Sequence, residues 1–226
     1  MSWKKSKTED AWQILRIQGE FTRGFDTFNE LGPCISVFGS ARTKTDDKWY
    51  KEAKHFGKLI VKEGFGVITG GGPGTMQAAN HGAKEVDGHS IGIGIELPFE
   101  SGMNKYVTTG IECRYFFTRK VMFLKYSQGF VAFPGGLGTL DEIFEALTLS
   151  QTGHTPKFPI ILVGKEYWQG LVDWIKQSML KEGRINKSDI NLFRIVDTAE
   201  EARDKIMEYH NKYRTEPYLR GGQSNF

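Results

Sequence analysis

Cysteine is scarce in this sequence. The 226 residues contain only Cys34 and Cys113, and neither these cysteines nor the five histidines show the spacing of metal ligands. Both cysteines lie among apolar or aromatic residues, and burial in such surroundings makes a thiol unreactive. We therefore expect two reduced, structural thiols and no metal site.

Blocks of like charge and long apolar runs are also missing. The formal charge is +3, and the lysines and arginines are interspersed with acids, which argues against a nucleic-acid-binding face. No apolar run reaches the roughly 18 residues of a membrane span, and residues 1–5 are not followed by the apolar segment of a signal peptide. We expect a cytoplasmic protein with no nucleic-acid or membrane partner.

Two familiar nucleotide-binding signatures are absent as well. The first predicted strand, 34–38, ends in Gly39-Ser-Ala-Arg42 instead of G-x-G-x-x-G. Neither of the glycine-rich turns farther along carries the Lys-Ser/Thr pair of a P-loop. A dinucleotide-dependent dehydrogenase and a P-loop NTPase are therefore disfavoured.

Apolar runs alternate with amphipathic segments along most of the chain. The predicted strands are 34–38, 66–69, 90–97, 130–134, 158–163 and 192–196. The predicted helices are 11–29, 46–63, 76–85, 113–126, 139–151, 166–181 and 198–213, and 98–110 is predicted to be an irregular connection. Because parallel neighbours need long right-handed crossovers, this pattern predicts an α/β fold. We expect a single doubly wound, Rossmann-like domain, with a parallel sheet of about six strands and helices on both faces.

Glycine is abundant, with 27 residues, and it recurs in two similar turns. The turns read Gly71-Gly-Pro-Gly-Thr-Met76 and Gly135-Gly-Leu-Gly-Thr-Leu140, each between a predicted strand and a helix. Glycine lets the backbone approach a ligand closely, and the free N–H groups of a helix start attract an anion. The predicted anion-binding residues are Gly71, Gly72, Gly74 and Thr75 in the first turn, and Gly135, Gly136, Gly138 and Thr139 in the second.

The two turns are expected to open onto one crevice. In the usual strand order 3-2-1-4-5-6, ligands bind outside the carboxyl ends of strands one and four, where the order reverses. This order places Ser40 and Arg42 beside Gly135, and it brings the turn after the second strand to the same place.

Glu142 follows the second turn and is open to two interpretations. Thr139-x-x-Glu142 has the form of a helix capping box, which also occurs at residues 198–201. The first turn, however, is followed by no acid at the corresponding position. This difference suggests that the second turn lies beside the reacting atoms and that the first turn only binds the ligand. Asp141 is either a second acid or a charge favoured by the helix dipole.

Arg119 and Lys120 lie upstream, surrounded by aromatic and aliphatic residues of the predicted helix 113–126. A buried charge without a partner is strongly unfavourable. The pair is expected to meet an anion or a solvent cleft. The alternatives are an internal salt bridge or a side chain that extends to solvent.

Together, Arg119-Lys120 and Pro134-Gly-Gly-x-Gly-Thr-x-x-Glu142 resemble the Lonely Guy family of cytokinin riboside 5′-monophosphate phosphoribohydrolases, in its longer subgroup. The family is often mislabelled as lysine decarboxylase. The resemblance covers about residues 33–212 and includes 39–42, 70–76, 95–99 and 116–120. At 92–95 the chain departs from the subgroup, which often has an asparagine there, and this leaves the base preference open.

The resemblance implies hydrolysis of a nucleoside 5′-monophosphate, AMP or an N6-modified adenine nucleotide, to free base and ribose 5-phosphate. Glu142 would stabilise the oxocarbenium-like transition state or orient water, and Arg119 would offset charge on the departing base or hold the ribose and phosphate. Ser40, Lys120, Asp141 and the two glycine turns would bind the substrate. No cofactor is implied, and the family forms homodimers or assemblies of dimers.

On this basis the chain divides into an N-terminal extension with a helix, 1–30, a nucleotide-binding catalytic domain, 31–213, and a flexible tail, 214–226. Two rival functions stay open. A non-catalytic carrier of a phosphate-bearing ligand, such as molybdenum cofactor, would use the same turns, with Glu142 as a simple cap. A structural dimer with vestigial loops would bind no nucleotide.

Overall fold

A computed structural model describes residues 7–96, 102–155 and 157–213 of the chain. The predicted tail 214–226, the first six residues and the beginning of the predicted connection 98–110 lie outside these residues.

One sheet of seven parallel strands forms the centre of the fold. The strands are β1 (Cys34–Phe38), β2 (Gly66–Thr69), β3 (Ser90–Ile95), β4 (Thr109–Cys113), β5 (Ser127–Ala132), β6 (Ile160–Val163) and β7 (Phe193–Val196). Their order is β4-β3-β2-β1-β5-β6-β7, and all six neighbouring pairs are parallel. The six predicted strands therefore lie in the predicted order, and the Rossmann-like fold is confirmed.

The seventh strand, β4, was not predicted. It lies at the end of the predicted irregular connection and at the start of the predicted helix 113–126, and it pairs with β3 from Ile91↔Thr109 to Ile95↔Cys113. Only Ile111 and Cys113 of its five residues are buried. An edge strand of this kind has too few apolar residues to form a recognisable run.

Helices cover both faces of the sheet. They are α1 (Lys7–Thr27), α2 (Lys48–Lys62), α3 (Thr75–Lys84), α4 (Phe116–Tyr126), α5 (Leu137–Thr152), α6 (Lys165–Trp174) and α7 (Ala199–Tyr213). A π-helical segment, Ile175–Leu180, extends α6, and a 3₁₀ helix, Lys187–Leu192, precedes β7. No helix in the described ranges is long and apolar enough to cross a bilayer.

The core has two layers because successive strand side chains point to opposite faces. Phe130 packs in the layer that also contains residues of α4, α5 and α6, whereas Val131 packs in the layer formed by α2, α3 and α7. Strands buried on both faces read as continuous apolar runs, which is why the central strands were predicted correctly.

Both cysteines are free and buried, as predicted. Burial raises the pKa of the Cys34 thiol to about 12 and also raises the pKa of Cys113. Both residues therefore behave as small apolar side chains.

Candidate active site

Three loops meet at the carboxyl ends of β1, β2 and β5. The N–H of Ser40 donates to the carbonyl oxygen of Pro134 at 3.1 Å, and the N–H of Thr75 donates to the carbonyl oxygen of Ser40 at 3.0 Å. The Ser40 hydroxyl accepts a hydrogen bond from the N–H of Arg42 at 3.0 Å. Ser40 therefore joins the two glycine turns, at the crevice that the strand order predicts.

Two of the predicted glycines are required by the fold. Gly74 has a φ of +66°, and an added Cβ there would collide with the carbonyl oxygen of Ser40. At Gly135 an added Cβ would collide with the side chain of Thr139. Side chains at these positions would push the loops apart.

Gly136 and Gly138 differ from these glycines. Their φ angles are not positive, and an added Cβ would meet no described atom within 4 Å. Neither backbone strain nor packing therefore requires glycine at either position. The space beside them is open, as a site for an incoming ligand needs.

The predicted capping box at Thr139 and Glu142 is absent. Helix α5 begins at Leu137, two residues earlier than predicted, and its N-cap is Gly136, which makes no side-chain cap hydrogen bond. Thr139 lies inside the first turn, where its N–H donates to the carbonyl oxygen of Gly136 at 3.0 Å. Gly136 is in an extended conformation and serves as the N-cap although it has no side-chain oxygen. Helix α5 therefore begins before Thr139.

The same sequence pattern does form a cap at α7. The Thr198 hydroxyl accepts a hydrogen bond from the N–H of Glu201 at 3.2 Å, and the Glu201 carboxylate accepts one from the N–H of Asp197 at 2.8 Å. At α5, by contrast, the N–H groups of Leu137 and Gly138 donate to no described residue. These free donors and the positive end of the helix dipole are available to an anion.

Glu142 lies one turn into α5 and is only 7% exposed. No described residue donates a hydrogen bond to its carboxylate, and its nearest cation is the Nζ of Lys120, at 3.9 Å. Burial raises the pKa of Glu142 above its ordinary value of 4.5, while Lys120 and Arg119 oppose the rise. An acid held in this way has free oxygens for a substrate or a water molecule.

Lys120 makes closer ion pairs with two other carboxylates. Its Nζ lies 2.9 Å from Asp141 and 2.8 Å from Glu145. Burial lowers the pKa of Lys120, but its hydrogen bonds to Glu145 and Asp141, together with the charges of Glu142 and Glu145, outweigh burial, so the pKa is raised and the ammonium stays charged. The internal salt bridge that the sequence left open is therefore present, and a role of Lys120 or Asp141 toward substrate stays a prediction.

Arg119 has no carboxylate within ion-pairing distance among the residues that the structure describes. Its Nε donates to the carbonyl oxygen of Ile93 at 2.9 Å, and its Cζ lies 5.2 Å from the centre of the Phe123 ring. Burial lowers the pKa of Arg119, and Glu142 is the largest of the nearby charges that oppose this effect. A guanidinium nevertheless keeps its proton in proteins, so Arg119 is a largely buried cation with unused donors.

Gly70 makes room for this arginine. An added Cβ at Gly70 would collide with an Nη atom of Arg119. The guanidinium therefore lies against the backbone of the first glycine turn. The structure thus places Arg119 beside the first turn, and Glu142 beside the second.

Three further residues at the site were not predicted. Asn104 donates from Nδ2 to the carbonyl oxygens of Gly71 and Gly72, at 3.0 and 3.1 Å, and the Tyr167 hydroxyl donates to the carbonyl oxygen of Gly135 at 2.8 Å. Glu145 is the third, through its ion pair with Lys120. Its spacing from Asp141 and Glu142 was a usable signal, because residues three and four apart share a helix face.

A surface cleft lies away from these residues. It has a volume of about 310 Å³ at the amino ends of β6 and β7, with Ser150, Pro159 and Arg194 in its lining. It contains none of the predicted site residues. Helix α5 ends near this cleft, so its negative dipole end points there, whereas its positive end faces the glycine turns. The helix dipole therefore favours an anion at the glycine turns.

Comparison with known proteins places the chain in a family. Residues 76–206, more than half of the chain, match a family model described as possible lysine decarboxylase. A probable cytokinin riboside 5′-monophosphate phosphoribohydrolase of Oryza sativa subsp. japonica is 30% identical over 182 residues, 78% of this chain and 83% of the relative. A cytokinin riboside 5′-monophosphate phosphoribohydrolase of the same organism is 30% identical over 191 residues, 79% of this chain and 74% of the relative.

A longer relative is also similar. A bifunctional cytokinin biosynthesis protein of Fusarium pseudograminearum is 28% identical over 225 residues, 88% of this chain, but the match spans only 45% of that protein.

Among solved structures, the molybdenum cofactor binding protein of Rippkaea orientalis has a TM-score of 0.60 and 26% identity, over 82% of this chain and 99% of that chain. The molybdenum cofactor carrier protein of Chlamydomonas reinhardtii has a TM-score of 0.60 at 24% identity, over 78% and 96% of the two chains. The second likeness shows the shared fold alone. The matched family model and the two rice relatives show that this chain belongs to the Lonely Guy family.

Proposed function

We propose that this protein hydrolyses the N-glycosidic bond of a purine nucleoside 5′-monophosphate, AMP or an N6-modified adenine nucleotide, to free base and ribose 5-phosphate. The observation that carries the proposal is Glu142, a buried carboxylate that receives no hydrogen bond from the described residues, one turn from an uncapped helix start. The names of the two rice relatives support the same reaction.

The 5′-phosphate binds at the start of α5, where Leu137 and Gly138 have free N–H groups. This contact is remote from the reacting atoms, so it contributes binding energy that aligns the glycosidic bond with Glu142. Glycosidic bonds break through an oxocarbenium-like transition state, and the Glu142 carboxylate stabilises its positive charge or orients the attacking water.

The reaction balances without a further reactant. Water adds its oxygen to C1′ of the ribose, the electron pair of the broken bond goes to the nitrogen of the base, and the base leaves with a proton derived from water. Arg119, with donors that no described carboxylate occupies, offsets the negative charge that grows on the base or holds the ribose phosphate. Lys120 holds Asp141 and Glu145, so that Glu142 is the acid of this cluster with oxygens free for substrate.

The test is incubation with a panel of nucleoside 5′-monophosphates, followed by chromatography for free base. The matching nucleosides, which lack the phosphate, are the substrate control. Absence of base release from every nucleotide would exclude the proposed hydrolysis.

A substitution then tests the role of Glu142. Glu142→Gln is expected to keep nucleotide binding and to lower kcat by about 100-fold or more, because the charge that stabilises the transition state is lost. Glu166→Gln, at an exposed glutamate of α6, is the matched control and should keep wild-type turnover. Near-normal release of adenine from AMP by Glu142→Gln would remove Glu142 from the mechanism.

A non-catalytic carrier of a phosphate-bearing ligand is the second candidate. It is favoured by the likeness to the molybdenum cofactor binding protein of Rippkaea orientalis, at 26% identity. A carrier would retain its ligand without base release, and Glu142→Gln would then change neither binding nor any product. Nucleotide binding measured beside the chromatography separates the two functions.

A further inference from the structure

Glu20 is a buried carboxylate in the N-terminal helix α1, with 9% of its surface exposed. Its Oε1 accepts a hydrogen bond from the N–H of Arg114 at 2.9 Å, and its Oε2 accepts one from the Thr118 hydroxyl at 2.5 Å. Burial of a carboxylate is unfavourable unless its oxygens are hydrogen-bonded. Here Oε1 has a backbone donor, and Oε2 shares the single proton of the Thr118 hydroxyl with the carbonyl oxygen of Tyr115, which lies 2.8 Å from that hydroxyl. Both donors come from a segment more than ninety residues away.

These donors flank the start of α4. The N-cap of this helix is Tyr115, which provides no side-chain cap, and its first turn contains no acidic residue. A negative charge is favourable at a helix start, because it interacts with the positive end of the dipole. Glu20 therefore supplies, from another helix, a negative charge at the start of α4 and two hydrogen bonds to the residues around it.

Thr118, whose side chain is fully buried, immediately precedes Arg119. Arg119 is held by the carbonyl oxygen of Ile93 and lies against the backbone of Gly70, so there is little room for the guanidinium to move. A displacement of α4 would change the direction of Arg119. Misplacement of a catalytic group by about 1 Å can lower a rate by about 100-fold.

We propose that Glu20 is a positioning residue of the active site, which sets the direction of Arg119 through Arg114 and Thr118. Helix α1 thereby becomes part of the support of the site, although the matched family region begins only at residue 76. The proposal rests on the proposed function, since it assigns Arg119 to the reaction.

The kinetic test compares three single variants with AMP as substrate. Glu20→Ala removes both hydrogen bonds and is expected to lower kcat/KM by about tenfold or more. Glu20→Gln keeps the shape, since its carbonyl can accept from Arg114 and its amide can donate to Thr118, so kcat/KM should stay within about threefold of wild type. Asp26→Ala, at an exposed acid of the same helix, is the control and should match wild type.

A double variant separates positioning from a general loss of stability. If Glu20 acts through Arg119, Glu20→Ala should cause no further loss in an Arg119→Ala background. A loss of equal size in both backgrounds would overturn the proposal, and so would wild-type kcat/KM in Glu20→Ala. Should Glu20→Ala fail to fold, Thr118→Val removes one of the same hydrogen bonds and is read by the same criteria.

Hydrogen exchange supplies a readout that does not depend on turnover. The peptide covering residues 114–120 is expected to exchange faster in Glu20→Ala than in wild type or Asp26→Ala, because the start of α4 loses the charge and the hydrogen bonds of Glu20. If the wild-type protein releases no base, the proposed function fails. Hydrogen exchange then still tests whether Glu20 stabilises the start of α4. Unchanged exchange over 114–120 would then overturn its assigned contact with α4.

Discussion

At the scale of single residues, the site depends on the competition of three carboxylates for one lysine. Asp141 and Glu145 lie within 3 Å of the Lys120 Nζ, whereas Glu142 lies at 3.9 Å and is the most deeply buried of the three. Glu142 thus bears a desolvation penalty that its neighbours only partly offset. Such an arrangement is expected where reactivity matters more than stability.

This penalty predicts that Glu142→Gln stabilises the protein at neutral pH. The pKa of Glu142 is raised in the folded state, so the folded chain holds this proton more tightly than the unfolded chain. Below the unfolded pKa, near 4.5, both states are protonated and Glu142 carries no penalty. As pH rises through that value and then through the raised folded pKa, wild type loses stability that the glutamine variant keeps.

The melting temperature measures this difference. Glu142→Gln should have a higher melting temperature than wild type at pH 7, and this difference in melting temperature, the gap, should narrow as the pH falls to about 4. Glu166→Gln, at an exposed position, should show no gap at either pH. A gap of equal size at both pH values would contradict the raised pKa.

Some site residues could be predicted from the sequence and others could not. Arg119 and Glu142 were found because a buried charge and an acid beside a glycine turn are unusual in themselves. Asn104 and Tyr167 act on backbone carbonyl oxygens about 32 residues away, and Glu20 acts on a segment more than ninety residues away. Contacts of this kind depend on the tertiary fold and leave no local pattern in the chain.

At the scale of elements, the two glycine turns have similar sequences and different surroundings. The carbonyl oxygen of Gly71 in the first turn accepts a hydrogen bond from Asn104, and the Arg119 guanidinium packs beside Gly70 at the start of this turn. In the second turn, by contrast, Gly136 and Gly138 face open space. Local sequence predicted both turns, but it placed the start of α5 at Thr139 because a threonine is a common N-cap. It missed β4 because alternate exposure at a sheet edge weakens the apolar signal.

The open space predicts separate effects of Gly138→Ala on stability and binding. Gly138 lies in the first turn of α5 without a positive φ, so alanine should leave stability unchanged or raise it by up to about 1 kcal/mol. The added methyl group, however, enters the space beside the free N–H groups. Affinity for AMP should therefore fall by about tenfold or more.

Denaturant unfolding and calorimetric titration measure the two effects, with Glu142→Gln as the parent so that AMP is not consumed. Gly170→Ala is the matched control, since Gly170 lies in α6, also without a positive φ and with no described atom near an added Cβ. It should show the same change in stability and no loss of affinity. Unchanged AMP affinity in Gly138→Ala would mean that the phosphate does not bind at the start of α5.

At the scale of the whole molecule, the doubly wound sheet brings the ends of β1, β2 and β5 together and leaves two aromatic residues at the start of α4 exposed. Phe116 is 53% exposed and Phe117 48% exposed, and they lie within three residues of Arg119. Adjacent exposed aromatic residues are typical of an interface, because aromatic side chains are enriched there. They favour the homodimer that the family resemblance implies, with an interface close to the active site.

The last prediction concerns this assembly. Sedimentation equilibrium of the wild-type protein should give twice the chain mass of 25.6 kDa. Phe117→Glu should give the mass of one chain, because a carboxylate buried in an apolar interface is strongly unfavourable. Since the same surface borders Arg119, release of base from AMP should fall in parallel with the dimer fraction.

Trp174→Glu is the control for this substitution. Trp174 is 54% exposed and lies at the end of α6, in a different part of the chain. It should leave both the mass and the activity at wild-type values, because a charge at an exposed position outside the interface has little effect. A wild-type mass of one chain would exclude the dimer. An active single-chain Phe117→Glu variant would instead show that each protomer forms a complete site, with the interface close to Arg119 but not needed for the reaction.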